Sequence, residues 1–180
     1  ITRRAALALF PLSAAGVVAG CGIISTTTTN GVTTVTINVP TAEAYISGVA
    51  ALAASLIALP GVPAATVAIV NTVLAQLNSA IPALNTASGG NVTLTFDTTS
   101  VPAFVTAMEA NVAMILKNAA AVVASFGGSV PPQVTTYYNA IGSVANAIAA
   151  LFRIATTAGA PTGGMTVQQA LDLVHIQAPA

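Results

Sequence analysis

From Thr33 onward the chain alternates between apolar and polar positions. Thr33, Val35, Ile37 and Val39 fall on one face, and Thr34, Thr36 and Asn38 on the other, which predicts a strand. Pro40 ends it. Thr41 suits a helix N-cap, and Glu43 would lie in the first turn, where the helix dipole favours an anion. The period then changes. Tyr45, Val49, Leu52, Leu56 and Leu59 recur at spacings of four and three, the seam of an amphipathic helix. Pro60-Gly61-Val62-Pro63 breaks it, and Pro63 suits the first turn of the next helix. The second helix carries Val67, Val70, Leu74, Leu77 and Ile81 and stops at the loop Ser88-Gly89-Gly90.

The pattern repeats. Val92, Leu94 and Phe96 alternate with Asn91, Thr93, Thr95 and Asp97, predicting a second strand. Ser100 can cap a third helix that begins near Pro102 and runs through Phe104, Met108, Val112, Ile115, Ala119, Val122 and Phe126. Gly127-Gly128-Ser129 stops it. Pro131 and Pro132 open a fourth helix with Val134, Ile141, Val144, Ile148 and Leu151 in line. Residues 159–164 form a loop, and Thr166 with Gln169 makes a capping box for a last short helix through Val167, Leu171 and Val174.

Strand, helix, helix thus occurs twice. At a common offset Val62-Pro63 matches Val130-Pro131, Asn71 matches Asn139, Val73 matches Ile141 and Asn78 matches Asn146, a pattern that fits an internal β-α-α duplication. A helical hairpin returns the chain to its starting end, so the second strand can lie antiparallel to the first. The expected fold is mainly α: a four-to-five-helix bundle with a small two-stranded antiparallel β-ribbon packed on it. Ala-rich helices bury little area each. Stability should therefore rest on large side chains at the seam centres, with Leu56, Leu74, Ile115 and Ile148 foremost.

Composition changes the picture in one respect. Only 4 % of the 180 residues are charged, against roughly 25 % in an ordinary soluble domain. Four basic residues balance four acidic ones, 55 % of the chain is hydrophobic, and no charge occurs between Glu43 and Asp97. A nucleic-acid binder, which needs a basic face, is excluded. One Cys excludes an intramolecular disulfide, and one His disfavours a His/Cys metal site. So little surface charge favours association.

The basic residues are concentrated at the start. Arg3 and Arg4 precede an uncharged, largely apolar stretch, Ala5 to Val18, which closes on Ala19-Gly20 before Cys21. That is the plan of a signal peptide, shorter than the ~20 residues of a membrane span. Val18-Ala19-Gly20-Cys21 resembles the lipobox of bacterial lipoproteins, and Thr2-Arg3-Arg4-Ala5-Ala6-Leu7 resembles a twin-arginine export signal, departing from it at Ala6, where Phe is usual. The resemblance covers residues 1–21. It implies a signal peptide over 1–20, cleavage before Cys21, and lipid attachment at Cys21. Gly22 in the following position implies the outer membrane, on the periplasmic side. Residues 21–30 would be the lipidated Cys and a polar tether, and 31–180 a single helical domain. The cut chain would hold Lys117 and Arg153 against Glu43, Asp97, Glu109 and Asp172, a net charge of −2. The alternative for this segment is an uncleaved N-terminal helix with Cys21 as a small buried residue.

Candidate chemistry is sparse. His175, three residues after Asp172, could form a proton-accepting pair, but no nucleophile can be placed beside it, and a surface His near a helix C-terminus accounts for it. Glu43, Asp97 and Glu109 fall on two helices and a strand end, with no Trp to stack a sugar, and are expected as solvated charges. Gly89-Gly90 and Gly127-Gly128 lack a following Lys and are expected as loop punctuation. Met108, Met114, Phe104 and Phe126 follow helical spacing and are expected in the core. Six Asn residues sit within predicted helices: Asn71, Asn78, Asn111, Asn118, Asn139 and Asn146. Most should face solvent, and a minority could cross-link helices. No catalytic residue, metal or cofactor is expected.

The leading expectation is a non-catalytic envelope lipoprotein with a structural or protein-interaction role. Its partners would be the membrane, through the N-terminal lipid, and an envelope protein or a second copy. Two alternatives stay open: a membrane-inserting helical bundle such as a pore, lysis or phage-exclusion factor, and a carrier of a small apolar ligand in a cavity lined by Ala.

Overall fold

A computed structural model of the chain describes residues 24–29, 32–97, 99–152 and 165–176. The signal peptide, Cys21 and Arg153 lie outside these residues. Three strands, β1 (Ile24–Thr29), β2 (Val32–Asn38) and β3 (Thr93–Asp97), and five helices, α1 (Val39–Ile57), α2 (Ala64–Ser88), α3 (Ala103–Ser125), α4 (Pro132–Phe152) and α5 (Val167–Asp172), follow in the order β1-β2-α1-α2-β3-α3-α4-α5. The mainly helical bundle with a small antiparallel sheet is therefore present, and β-α-α occurs twice in it.

The sheet has three strands rather than two, in the order β1-β2-β3, each pair antiparallel. Ile24 stands opposite Ile37, and Ile37 opposite Leu94. The added strand, β1, comes from the segment expected as a tether. Its Ser-Thr run has no apolar alternation to announce it, but β-branched Thr is at ease in extended backbone. Val35, Ile37, Leu94 and Phe96 point into the core. On the opposite face the Thr36 and Thr95 hydroxyls hydrogen-bond across the strands at 2.9 Å.

The start of α1 differs from expectation. Asn38, not Thr41, is the N-cap: its Oδ1 accepts from Thr41 N and from Thr41 Oγ1, both at 2.9 Å. Pro40 lies inside the first turn, where no backbone N–H is needed. Likewise Pro102, not Ser100, precedes α3, with no side-chain cap. The capping box of Thr166 and Gln169 is present at α5.

The helices form a closed set of neighbours: α1 packs on α2 and α4, α3 on α2 and α4, and α5 on α4. The seams of α1, α3 and α4 lie where the spacing put them, with Leu56, Ile115 and Ile148 fully buried. The seam of α2 is rotated. Val70, Val73, Leu77, Ala80 and Leu84 are buried, while Leu74 and Ile81 are only partly so. Leu77, not Leu74, is the large side chain at its centre. In the paired segments Val73 and Ile141 are both buried, and Asn78 and Asn146 both exposed. Among the described residues the buried core runs from Val35 to Leu171, with Val174 and Ile176 packed against it.

Candidate functional site

The expected chemical candidates are dispersed. His175 lies beyond the end of α5 in the left-handed region, with φ 55°, and its side chain is exposed. The Asp172 carboxylate accepts from Gln168 Nε2 at 2.7 Å, so the two do not form a pair. Glu43 accepts from the Asn85 amide, and Glu109 is exposed. Asp97 accepts from Thr99 Oγ1 at 2.6 Å and Thr99 N at 2.9 Å. The Thr99 hydroxyl bond holds the Asp97 carboxyl below the usual carboxylate range, against a smaller opposing effect of burial. Gly89 and Gly127 both have φ 62°, the left-handed conformation that ends α2 and α3. Among the described residues no group of three or more His, Cys, Asp or Glu is placed to hold a metal ion.

The helical Asn residues divide. Asn71, Asn78 and Asn146 are exposed and Asn139 is half-buried. Asn111 and Asn118 are buried, at 9 % and 8 % exposure. Neither cross-links helices. Asn118 donates to its own helix, at Met114 O, 2.7 Å away. The Asn111 side chain has no hydrogen-bond partner among the described residues, yet its amide atoms are not sealed from solvent. They open into a groove.

That groove, about 480 Å³, runs between α2 and α3. Its origin is the small residues at the contact: Ala80 and Ala83 on α2 face Ala107 and Ala110 on α3. Val73, Phe104 and Met114 complete the apolar walls, and Gln76, Ser79 and Asn111 are its polar residues. Phe104 is fixed by an edge-on contact with Phe152, ring centroids 6.2 Å apart. Met114, expected in the core beside Met108, is instead 41 % exposed at the groove. Among the described residues no charged side chain lines it. By contrast the centre of the bundle, around Leu56, Val70, Ile115 and Ile141, has no room for even a water. Room for an apolar ligand is thus found in this surface groove and not around those four residues.

Asn111 differs from the other helical Asn residues: the residue is mostly buried, it has no protein partner among the described residues, and its amide atoms meet solvent at the groove. The spacing rule alone marks Asn111 as one of six similar residues; only its burial without a partner separates it from the rest.

The second feature is the outer face of α2. This 25-residue helix has no charged residue. Its mean hydropathy over an 18-residue window is 1.5, yet only 28 % of that window is buried. Ile69 is 48 % exposed. Thr72, Ser79 and Thr86 donate their hydroxyls to their own helix, at Ala68 O, Gln76 O and Pro82 O. Those hydroxyls are thus already satisfied, which lowers the face's demand for water. By length and composition α1, α2 and α3 are each apolar enough to cross a membrane. In comparisons with protein families, characterised proteins and solved structures, nothing matches this chain.

Proposed function

We propose that this chain is a non-catalytic, exported lipoprotein of the bacterial envelope, attached to the membrane through Cys21, whose helical domain acts by contact with another envelope component. The observation that carries the contact role is the outer face of α2, long, uncharged and mostly unburied. Soluble domains clothe such a face in charge; where it is left neutral, association is favoured. The lipobox-like Val18-Ala19-Gly20-Cys21 supports the anchor. The first described element, β1, starts at Ile24, so the lipid-bearing residue would be at most about 11 Å of chain from it, and the domain would be held close to the bilayer.

The test is site-specific photo-crosslinking in cells, with the crosslinker at Ile69 on α2 or at exposed Gln133 on α4. A discrete adduct from Ile69 and none from Gln133 is expected. Equal labelling from both, or from neither, contradicts the contact role of α2.

A second reading is favoured by three apolar helices of spanning length: a bundle that inserts into the membrane. Residues 22–180, which keep every described element and lack the lipid, separate the two. Partition into the aqueous phase supports the anchored domain, and partition into detergent supports insertion.

A further inference from the structure

The groove between α2 and α3 combines three properties. It is open and about 480 Å³ in volume, its walls are mainly Ala, Val, Phe and Met, and no described residue brings a charge to it. Into it opens Asn111, 91 % buried, with no partner among the described residues. We propose that this groove binds an uncharged amphiphile, an alkyl or acyl chain bearing a carboxamide or a similar neutral donor–acceptor group, which pairs with the Asn111 amide. The proposal does not depend on the lipid at Cys21 or on the partner of α2.

Size, polarity and charge each narrow the ligand. At about 30 Å³ per water-sized group the groove accepts roughly sixteen non-hydrogen atoms, in the range of small-molecule sites. The apolar walls suit a hydrocarbon chain. The Asn side chain offers N–H donors and a carbonyl acceptor together, and a carboxamide answers both at once. An anionic head group fits poorly. Lys117, the one Lys or Arg among the described residues, is not part of the lining, so no described residue supplies a cation to offset the water a carboxylate would lose. A second copy of this chain could present exposed amides such as Asn71 and Asn78 of α2, and a dimer through the groove is therefore an outcome of the test.

Residues 22–180 contain the whole described core, and binding of decanamide, decanoate and decane to that chain tests the proposal. The side-chain amide resonances of Asn111, assigned by their loss in Asn111→Leu, report the site directly. Saturable one-to-one binding of decanamide that shifts those resonances is expected, with decanoate at pH 8 bound at least tenfold more weakly. Ala107→Phe places a ring in the groove from an exposed position and should weaken decanamide at least tenfold. Asn111→Leu should abolish the preference for decanamide over decane. Decanoate bound as well as decanamide, affinities unchanged in both variants, or no saturable binding would overturn the proposal. So would a dimer that forms through the groove and is broken by Ala107→Phe.

Discussion

A Cβ added to Gly48 on α1 would overlap Leu171 Cδ2 of α5 and reach ordinary contact with Val144 of α4. Glycine here is a packing residue: it lets the short C-terminal helix seat its one fully buried Leu against α1. Leu171 is 0 % exposed, so it would have to re-seat within the core. Gly48→Ala should therefore destabilise the domain by ~1–3 kcal/mol, the cost of overpacking. Gly48→Ala combined with Leu171→Ala should cost less than the sum of the two, because the second change removes the clash. Urea unfolding of the four chains completes the cycle, and strict additivity would contradict the contact.

The rotated seam of α2 gives a second prediction. Leu77 is 0 % exposed, whereas Leu74 is only partly buried. Leu77→Ala should cost ~2–5 kcal/mol, as large-to-small changes in packed cores do. Leu74→Ala should cost clearly less. A thermal melt of each variant distinguishes them, and the reverse order would restore the seam through Leu74.

At the start of α1, Asn38 Oδ1 satisfies one backbone N–H and the Thr41 hydroxyl. Asn38→Ala should lower stability by ~1 kcal/mol, within the range of N-cap losses. Asn38→Asp should retain most of it, since the acceptor remains and an anion is favoured at that end. Chemical denaturation measures both.

Tyr45 predicts an alkaline effect. Burial raises its phenol above the ordinary value of 10.0. A group whose pKa is higher in the folded state contributes stability that is complete below the unfolded value and is lost as pH rises through the folded one. The wild-type domain should lose stability above about pH 10, and Tyr45→Phe should lose less over the same interval. Unfolding free energies at pH 8 and pH 11 for the two chains check the sign. An equal loss in both would place the effect in other groups.

The parts of the fold that the sequence made legible are those where apolar residues mark a single face. Along α3, Met108, Val112, Ile115, Ala119 and Val122 leave one reading, and all five are buried. Along α2, Val, Ile and Leu occur around most of the circumference, and the period does not choose between Leu74 and Leu77. Packing against α1 and α3 decides it. β1 was illegible because Ser25 to Thr29 has no apolar alternation; its pairing depends on β2 beside it. Pro40 resembles a strand terminator until Asn38 is seen to cap across it. The groove escapes any sequence pattern because it is made by missing volume, Ala against Ala on helices distant in the chain. Asn111 was visible as a residue type but not as an unpartnered group.

The intact mass of the protein recovered from the membrane fraction of an expressing bacterium reads the fate of the first 21 residues. A lipoprotein anchored at Cys21 gives a chain that begins at Cys21, lighter by the 20 preceding residues and heavier by acyl groups, and a Cys21→Ser chain that keeps its N-terminus. A mature protein with residues 1–20 in place and a free thiol at Cys21 would rule out the lipid anchor.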